Sequence, residues 1–138
     1  MNEPQSQAET LGTVELRIPC KPEWVAVARL AVAGVASRLN FSIEDIEDIK
    51  LAVAEACTNC IQHARHSRNI LITCDAEPEV LTVHVRDFGG AARPESVASG
   101  EDQPRLGVFL IRSLMDNVQY DVHPQDGTSL VMTKKVTP

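Results

Sequence analysis

Aromatic side chains are scarce in this sequence: Phe, Trp and Tyr together make up 4% of its 138 residues. Its core must therefore be built from Val, Ile, Leu and Ala. Positive charge is also in deficit, with 13 Lys and Arg against 19 Asp and Glu, a net charge of −6. Such a domain gains nothing from releasing phosphate counterions, which argues against direct nucleic-acid binding. A basic protein surface or a magnesium–nucleotide complex is the better electrostatic match. Long hydrophobic runs are missing as well. The longest, Trp24 to Ala36, is broken by Arg29 and falls short of the ~20 apolar residues a membrane-spanning helix needs. The first dozen residues lack the basic and apolar regions of a secretion signal. Cys20, Cys57, Cys60 and Cys74 are then expected to be reduced thiols, and the protein to be cytoplasmic.

What is present is ordinary globular composition, 43% apolar and 23% charged, at a length that suits one domain. Residues 1–12 are polar and read as a disordered leader, leaving 13–138 as the domain. Thr13 to Ile18 alternates with Val14, Leu16 and Ile18 on one face, the pattern of a half-buried strand. A helix is expected from Glu23 to Leu39, with Asn40 as its C-cap. Ser42 caps a second helix, whose early Glu44, Asp45, Glu47 and Asp48 suit the positive end of the helix dipole. Its apolar stripe of Ile46, Ile49, Val53, Cys57 and Cys60 runs on to about His66. Asn69 to Cys74 and Val80 to Asp87 read as a β-hairpin. Phe88 to Pro104 has no period and reads as a long functional loop. A helix from Leu106 to Asp116 and a hairpin of Val118 to His123 with Thr128 to Lys135 complete the chain. The order β-α-α-β-β-loop-α-β-β predicts an α+β two-layer sandwich: a mixed, mostly antiparallel sheet covered on one face by helices.

Four short segments carry chemistry. In Glu55-Ala-Cys-Thr-Asn59-Cys-Ile-Gln-His63, Glu55, Asn59 and His63 share one helix face at i, i+4 and i+8. An amide oxygen can ligate Mg2+, and a carboxylate one turn earlier can take a proton from an attacking hydroxyl. The same triplet also suits a plain solvated helix face. Asp87-Phe-Gly89-Gly90 follows a strand, where an aspartate can hold an exocyclic amine while glycines admit close approach; an Asp-x-Gly turn looks the same. Arg105-Leu-Gly107 precedes a helix N-terminus, a natural anion site. Asp126-Gly127-Thr128 precedes the last strand and also fits a simple hairpin turn.

In order and spacing these four segments resemble the N, G1, G2 and G3 boxes of the GHKL ATPases, the superfamily of gyrase and the histidine kinases. The run Ile46 to Ala64, together with Leu106 to Val118, is similar to the RsbW branch of bacterial anti-sigma-factor kinases. Pro22-Glu-Trp and Gly34 to Arg38 match that branch too. The resemblance implies a Bergerat-type ATP-binding fold and a serine/threonine kinase using ATP and Mg2+. It implies Glu55 as general base and Asn59 as the Mg2+ ligand. Asp87 would contact the adenine amine, Gly89 and Gly107 would shape the pocket and its lid, and Thr128 would lie near the adenine. It implies homodimers, a sigma factor as sequestered partner and a STAS-type anti-anti-sigma factor as substrate, with neither nucleic acid nor membrane as a direct partner. A non-catalytic anti-sigma module and a kinase of stress-signalling scaffolds are the alternatives. The usual second glycine box has glycine where this chain has Arg105. Either that position is left-handed, which costs Arg on the order of 1–2 kcal/mol, or the backbone is ordinary and the guanidinium reaches the phosphates.

The Cys57-x-x-Cys60 spacing falls within a helix rather than on a zinc knuckle, and buried apolar thiols account for it. Trp24 reads as a packing residue. Lys134-Lys135 reads as a solvated pair on an edge strand.

Overall fold

The computed structural model of the chain describes residues 11–63, 67–89, 103–123 and 126–137, of which 103–105 by backbone alone. Strand β1 spans Gly12–Pro19. A 3-10 turn, Pro22–Trp24, leads into α1, Val25–Ala36, and α2 spans Ile43–His63. Strands β2, Asn69–Glu77, and β3, Val80–Asp87, form a hairpin. Helix α3, Gln103–Leu114, precedes β4, Asn117–His123, and β5, Gly127–Lys135. The element order matches the one expected. Of the leader expected over 1–12, all but Leu11 and Gly12 lies outside the described residues, as do most of the loop after Asp87 and the end of the expected second helix at His66.

The five strands pair in the order β1-β2-β3-β5-β4, and each of the four pairings is antiparallel. The expected mixed sheet is corrected on this point. β3 and β4 do run in the same direction, as the helical crossover between them requires, but β5 inserts between them and is antiparallel to both. Alternation along the strands puts Ile70, Ile72, Cys74, Leu81, Val83, Val85, Leu130 and Met132 on one face, all buried. Ala28, Val32 and Ala36 of α1, Ile49, Val53 and Cys57 of α2, and Val108 and Ile111 of α3 close that face. This is the two-layer α+β sandwich expected from the element order.

Helix boundaries follow local chemistry. Ser42 Oγ accepts the Asp45 amide at 3.0 Å, the N-cap expected for α2. Helix α1 stops earlier than predicted, at Ala36. Ser37 turns its hydroxyl back to the Gly34 carbonyl at 2.7 Å, so Asn40 lies beyond the cap. Helix α3 starts three residues before Leu106 because Pro104 is tolerated in a first turn, where backbone N–H groups have no helical partner anyway.

Lys134 also departs from expectation. β5 is an interior strand, and Lys134 pairs with Leu81 on its helix-covered side. Its ammonium donates to the Leu114 carbonyl at 2.5 Å and lies 3.9 Å from Asp45 and 3.8 Å from Asp48. It thus ties the C-terminal end of α3 to the first turns of α2. Asn59 and Gly107 meet at the opposite ends of the same two helices, so α2 and α3 form an antiparallel pair.

Candidate nucleotide-binding site

At the end of β3, Asp87 is 1% exposed and its carboxylate is met from several sides. The Gly89 amide donates to Oδ1 at 3.1 Å, as does the Thr128 amide, also at 3.1 Å. The Thr128 hydroxyl donates to Oδ2. A buried carboxylate is tolerable only when such donors replace its water. Gly127 makes the arrangement possible. It sits at φ +108, and a Cβ there would lie 2.2 Å from the Asp87 carbonyl oxygen and 2.7 Å from Oδ1. Only glycine fits this corner. Local reading of Asp126-Gly127-Thr128 gave a turn; the pairing of β3 with β5 turns it into a cradle for Asp87.

Helix α2 supplies the other wall. Asn59 is 8% exposed, and Glu55 is partly buried one turn before it. Both point at Gly107 of α3, where a Cβ would lie 2.5 Å from Asn59 Nδ2 and 2.8 Å from both Asn59 Oδ1 and Glu55 Oε2. The expected polar face of α2 is therefore no solvated surface; it is pressed against the backbone of α3. Glycine at 107 lets the two helices approach within reach of these side-chain tips. Arg105 lies inside α3, so its backbone is ordinary helix and no left-handed strain arises there.

Between these walls lies a cavity of about 20 Å³ lined by Ala56, Asn59, Cys60, His63, Val85, Asp87, Tyr120, Thr128 and Leu130. Its lining mixes polar and apolar side chains, and its volume would suit about one water molecule. Two of its residues were hidden from sequence reasoning. Cys60, read as core, faces Asp87: burial first, and then the Asp87 charge, push its thiol well above the ordinary range. Tyr120 is pushed up to about 12 by burial, then by Cys60 and Asp87. Cys57 is likewise raised to about 12, mainly by burial. All three stay protonated at neutral pH. The β4–β5 register, which sets Tyr120 opposite Leu130, is what brings Tyr120 here, and no local motif encodes it.

The site thus joins Glu55, Asn59, Asp87, Gly89, Gly107 and Thr128 at one end of the sandwich, with Arg105 on the helix that closes it. A buried acceptor framed by glycine at one end, and an amide beside a carboxylate at the other, suit a ligand with an amine-bearing base and a metal-bound anionic tail. The histidine kinase-like ATPase domain family matches residues 18–134. The chain belongs to that family. Within it, Serine-protein kinase RsbW of Bacillus pumilus (strain SAFR-032) is 36% identical over 91% of this chain and 87% of its own length. The RsbW of Bacillus velezensis (strain DSM 23117 / BGSC 10A6 / LMG 26770 / FZB42) is 35% identical over 88% of this chain and 84% of its own. The RsbW of Bacillus cereus (strain Q1) is 36% identical over 93% of this chain and 88% of its own. Among solved structures, a histidine kinase domain from the Erythrobacter litoralis EL346 blue-light activated histidine kinase is 20% identical, with a TM-score of 0.49, covering 86% of this chain and 62% of that one. The chain is an RsbW-type member of the histidine kinase-like ATPase family.

Proposed function

We propose that this chain is a serine-protein kinase that transfers the γ-phosphoryl group of ATP to a serine of a STAS-type anti-anti-sigma factor, and that it sequesters a sigma factor in the alternate state. The observation that carries the reading is the convergence of Glu55 and Asn59 on Gly107 beside the Asp87 corner. Asp87 receives the exocyclic amine of adenine, oriented by Thr128 and the Gly89 amide. Asn59 Oδ1 would hold Mg2+, which when bound neutralises phosphate charge. Glu55 accepts the proton of the substrate hydroxyl as its oxygen forms the new bond to phosphorus; the bond from phosphorus to the bridging oxygen breaks, and ADP leaves. Arg105, at the start of α3, is the cation proposed for the phosphates.

A homodimer is proposed on separate grounds. β1 is an edge strand; Val14 on it and Leu11 just before it are exposed, as are Val27 and Leu30 of α1. Leu11, Val14, Ala31 and Gly34 line a groove of about 490 Å³ between strand and helix. A second copy would bury this apolar strip. The cytoplasm is the proposed compartment, supported by four free thiols.

The decisive measurement is transfer of labelled phosphate to the anti-anti-sigma partner by wild type and Glu55→Gln. General-base loss should slow transfer roughly 10²–10⁴-fold. Equal rates would remove Glu55 from the chemistry. Absence of any calorimetric signal with Mg-ATP would leave a binding module in place of a kinase.

A further inference from the structure

Lys134 lies under the helices, on the covered side of an interior strand, with 11% of its side chain exposed. An ammonium gains little stability from such a place. Its lost hydration offsets its ion pairs, and an apolar side chain of similar volume often serves the fold as well. What the charge holds together explains it better. Nζ donates to the Leu114 carbonyl at the end of α3, at 2.5 Å, and faces Asp45 and Asp48 in the first turns of α2, at 3.9 and 3.8 Å. Two more bonds fasten the chain just after α3. The Asp116 amide donates to the Thr133 carbonyl at 2.9 Å, and the Lys135 amide donates to Asp116 Oδ2 at 2.7 Å. Those two join it to the sheet alone, whereas Lys134 also reaches α2. At the other end of the helix pair, Gly107 rests on the side-chain tips of Asn59 and Glu55, which rotate where a backbone would not. The spacing of the two helices there is set from the Lys134 end.

We propose that Lys134 is a positioning residue for phosphoryl transfer. By holding the end of α3 against the start of α2, it sets how closely Gly107 approaches Glu55 and Asn59, and so where the acid and the amide point. It acts through these residues and touches neither nucleotide nor substrate. The Asp87 corner is built from the end of β3 and the start of β5, without α3, so the base end is indifferent to it. The inference rests on the kinase reading above and adds a residue that lies outside the four sequence boxes.

The test is phosphoryl transfer to the anti-anti-sigma partner by wild type, Lys134→Met, Asp45→Asn/Asp48→Asn and Gly107→Ala, with Mg-ATP affinity from calorimetry and thermal melts alongside. Methionine keeps the reach and apolar stem of lysine and drops the charge. It should lower kcat about tenfold, the effect of a sub-ångström misplacement, while Mg-ATP affinity stays within about threefold of wild type. The two asparagines remove only the α2 half of the clamp and should lower kcat about threefold, as partly exposed ion pairs do. They carry the test if Lys134→Met does not fold. Lys134→Met combined with Gly107→Ala should be no more than about threefold slower than Gly107→Ala alone, because both act on one contact. Unchanged kcat in the folded variant overturns the proposal and leaves the kinase reading standing. So do losses that multiply in the combined variant. A parallel fall of kcat, affinity and melting point overturns it too, since Lys134 would then only support the fold. Failure of wild type to transfer phosphate overturns both readings.

Discussion

The two ends of the site both depend on a glycine, yet they are built differently. At Gly127 a backbone presses on a backbone: the nearest atom to an added Cβ is the Asp87 carbonyl oxygen, and the residue holds a left-handed φ. At Gly107 a backbone presses on the tips of Asn59 and Glu55, inside an ordinary helix. The first contact joins adjacent strands of one sheet and cannot give. The second joins two helices through movable side chains. The fold therefore fixes where a base would sit more firmly than it fixes the acid and amide.

Substitutions can break or sharpen this contrast. Gly127→Ala should be the most damaging, combining left-handed strain of about 1–2 kcal/mol with an overlap worth about 1–3 kcal/mol more. Its thermal midpoint should fall by roughly 10 °C; a fall under about 2 °C would mean the corner is soft. Asp87→Asn keeps the shape but sets an NH2 group against donors and weakens charge-assisted bonds. A loss of about 2 kcal/mol in chemical denaturation is expected, with ATP binding abolished; unchanged affinity would detach the corner from the base. Gly107→Ala should cost less than about 1 kcal/mol of stability, because side-chain tips can move aside. The same movement should slow phosphoryl transfer about 10²-fold. A Gly107→Ala variant that loses more stability than Gly127→Ala yet transfers normally while folded would reverse the comparison.

The smallest effect lies away from the site. His84, bonded to Ser129 at 2.6 Å on the uncovered sheet face, has its pKa lowered by burial and then by Arg86. A depressed base favours folding in its neutral form. Its contribution is therefore complete above the ordinary value of 6.5 and declines as pH falls through it toward the folded value. Melts at pH 7.5 and 5.5 should show a smaller acid drop for His84→Gln than for wild type.

Much of this was legible in the sequence because the signals were local. Alternation in Val80 to Asp87, the Ser42 cap and the four-residue step from Glu55 to Asn59 each encode their own geometry. Relations across the chain were not legible. Lys134 looked solvated because nothing near it reveals that β5 lies between β3 and β4. Cys60 followed the apolar stripe of its helix, yet the carboxylate it faces lies 27 residues away in sequence, at Asp87. Pro104 suggested a loop, although a first helical turn accepts proline.

Lys134 anchors one end of the α2–α3 pair and Gly107 touches at the other, which makes α3 a lever with its fulcrum at Leu114. Seven residues at 1.5 Å each separate Leu114 from Gly107, an arm of about 10 Å. A tilt of about 10° would part the helices by roughly 2 Å at the far end. Were α3 to tilt in this way, the gap would open beside Asn59 while its hinge lay at a lysine on the last strand, remote from Glu55 and Asn59.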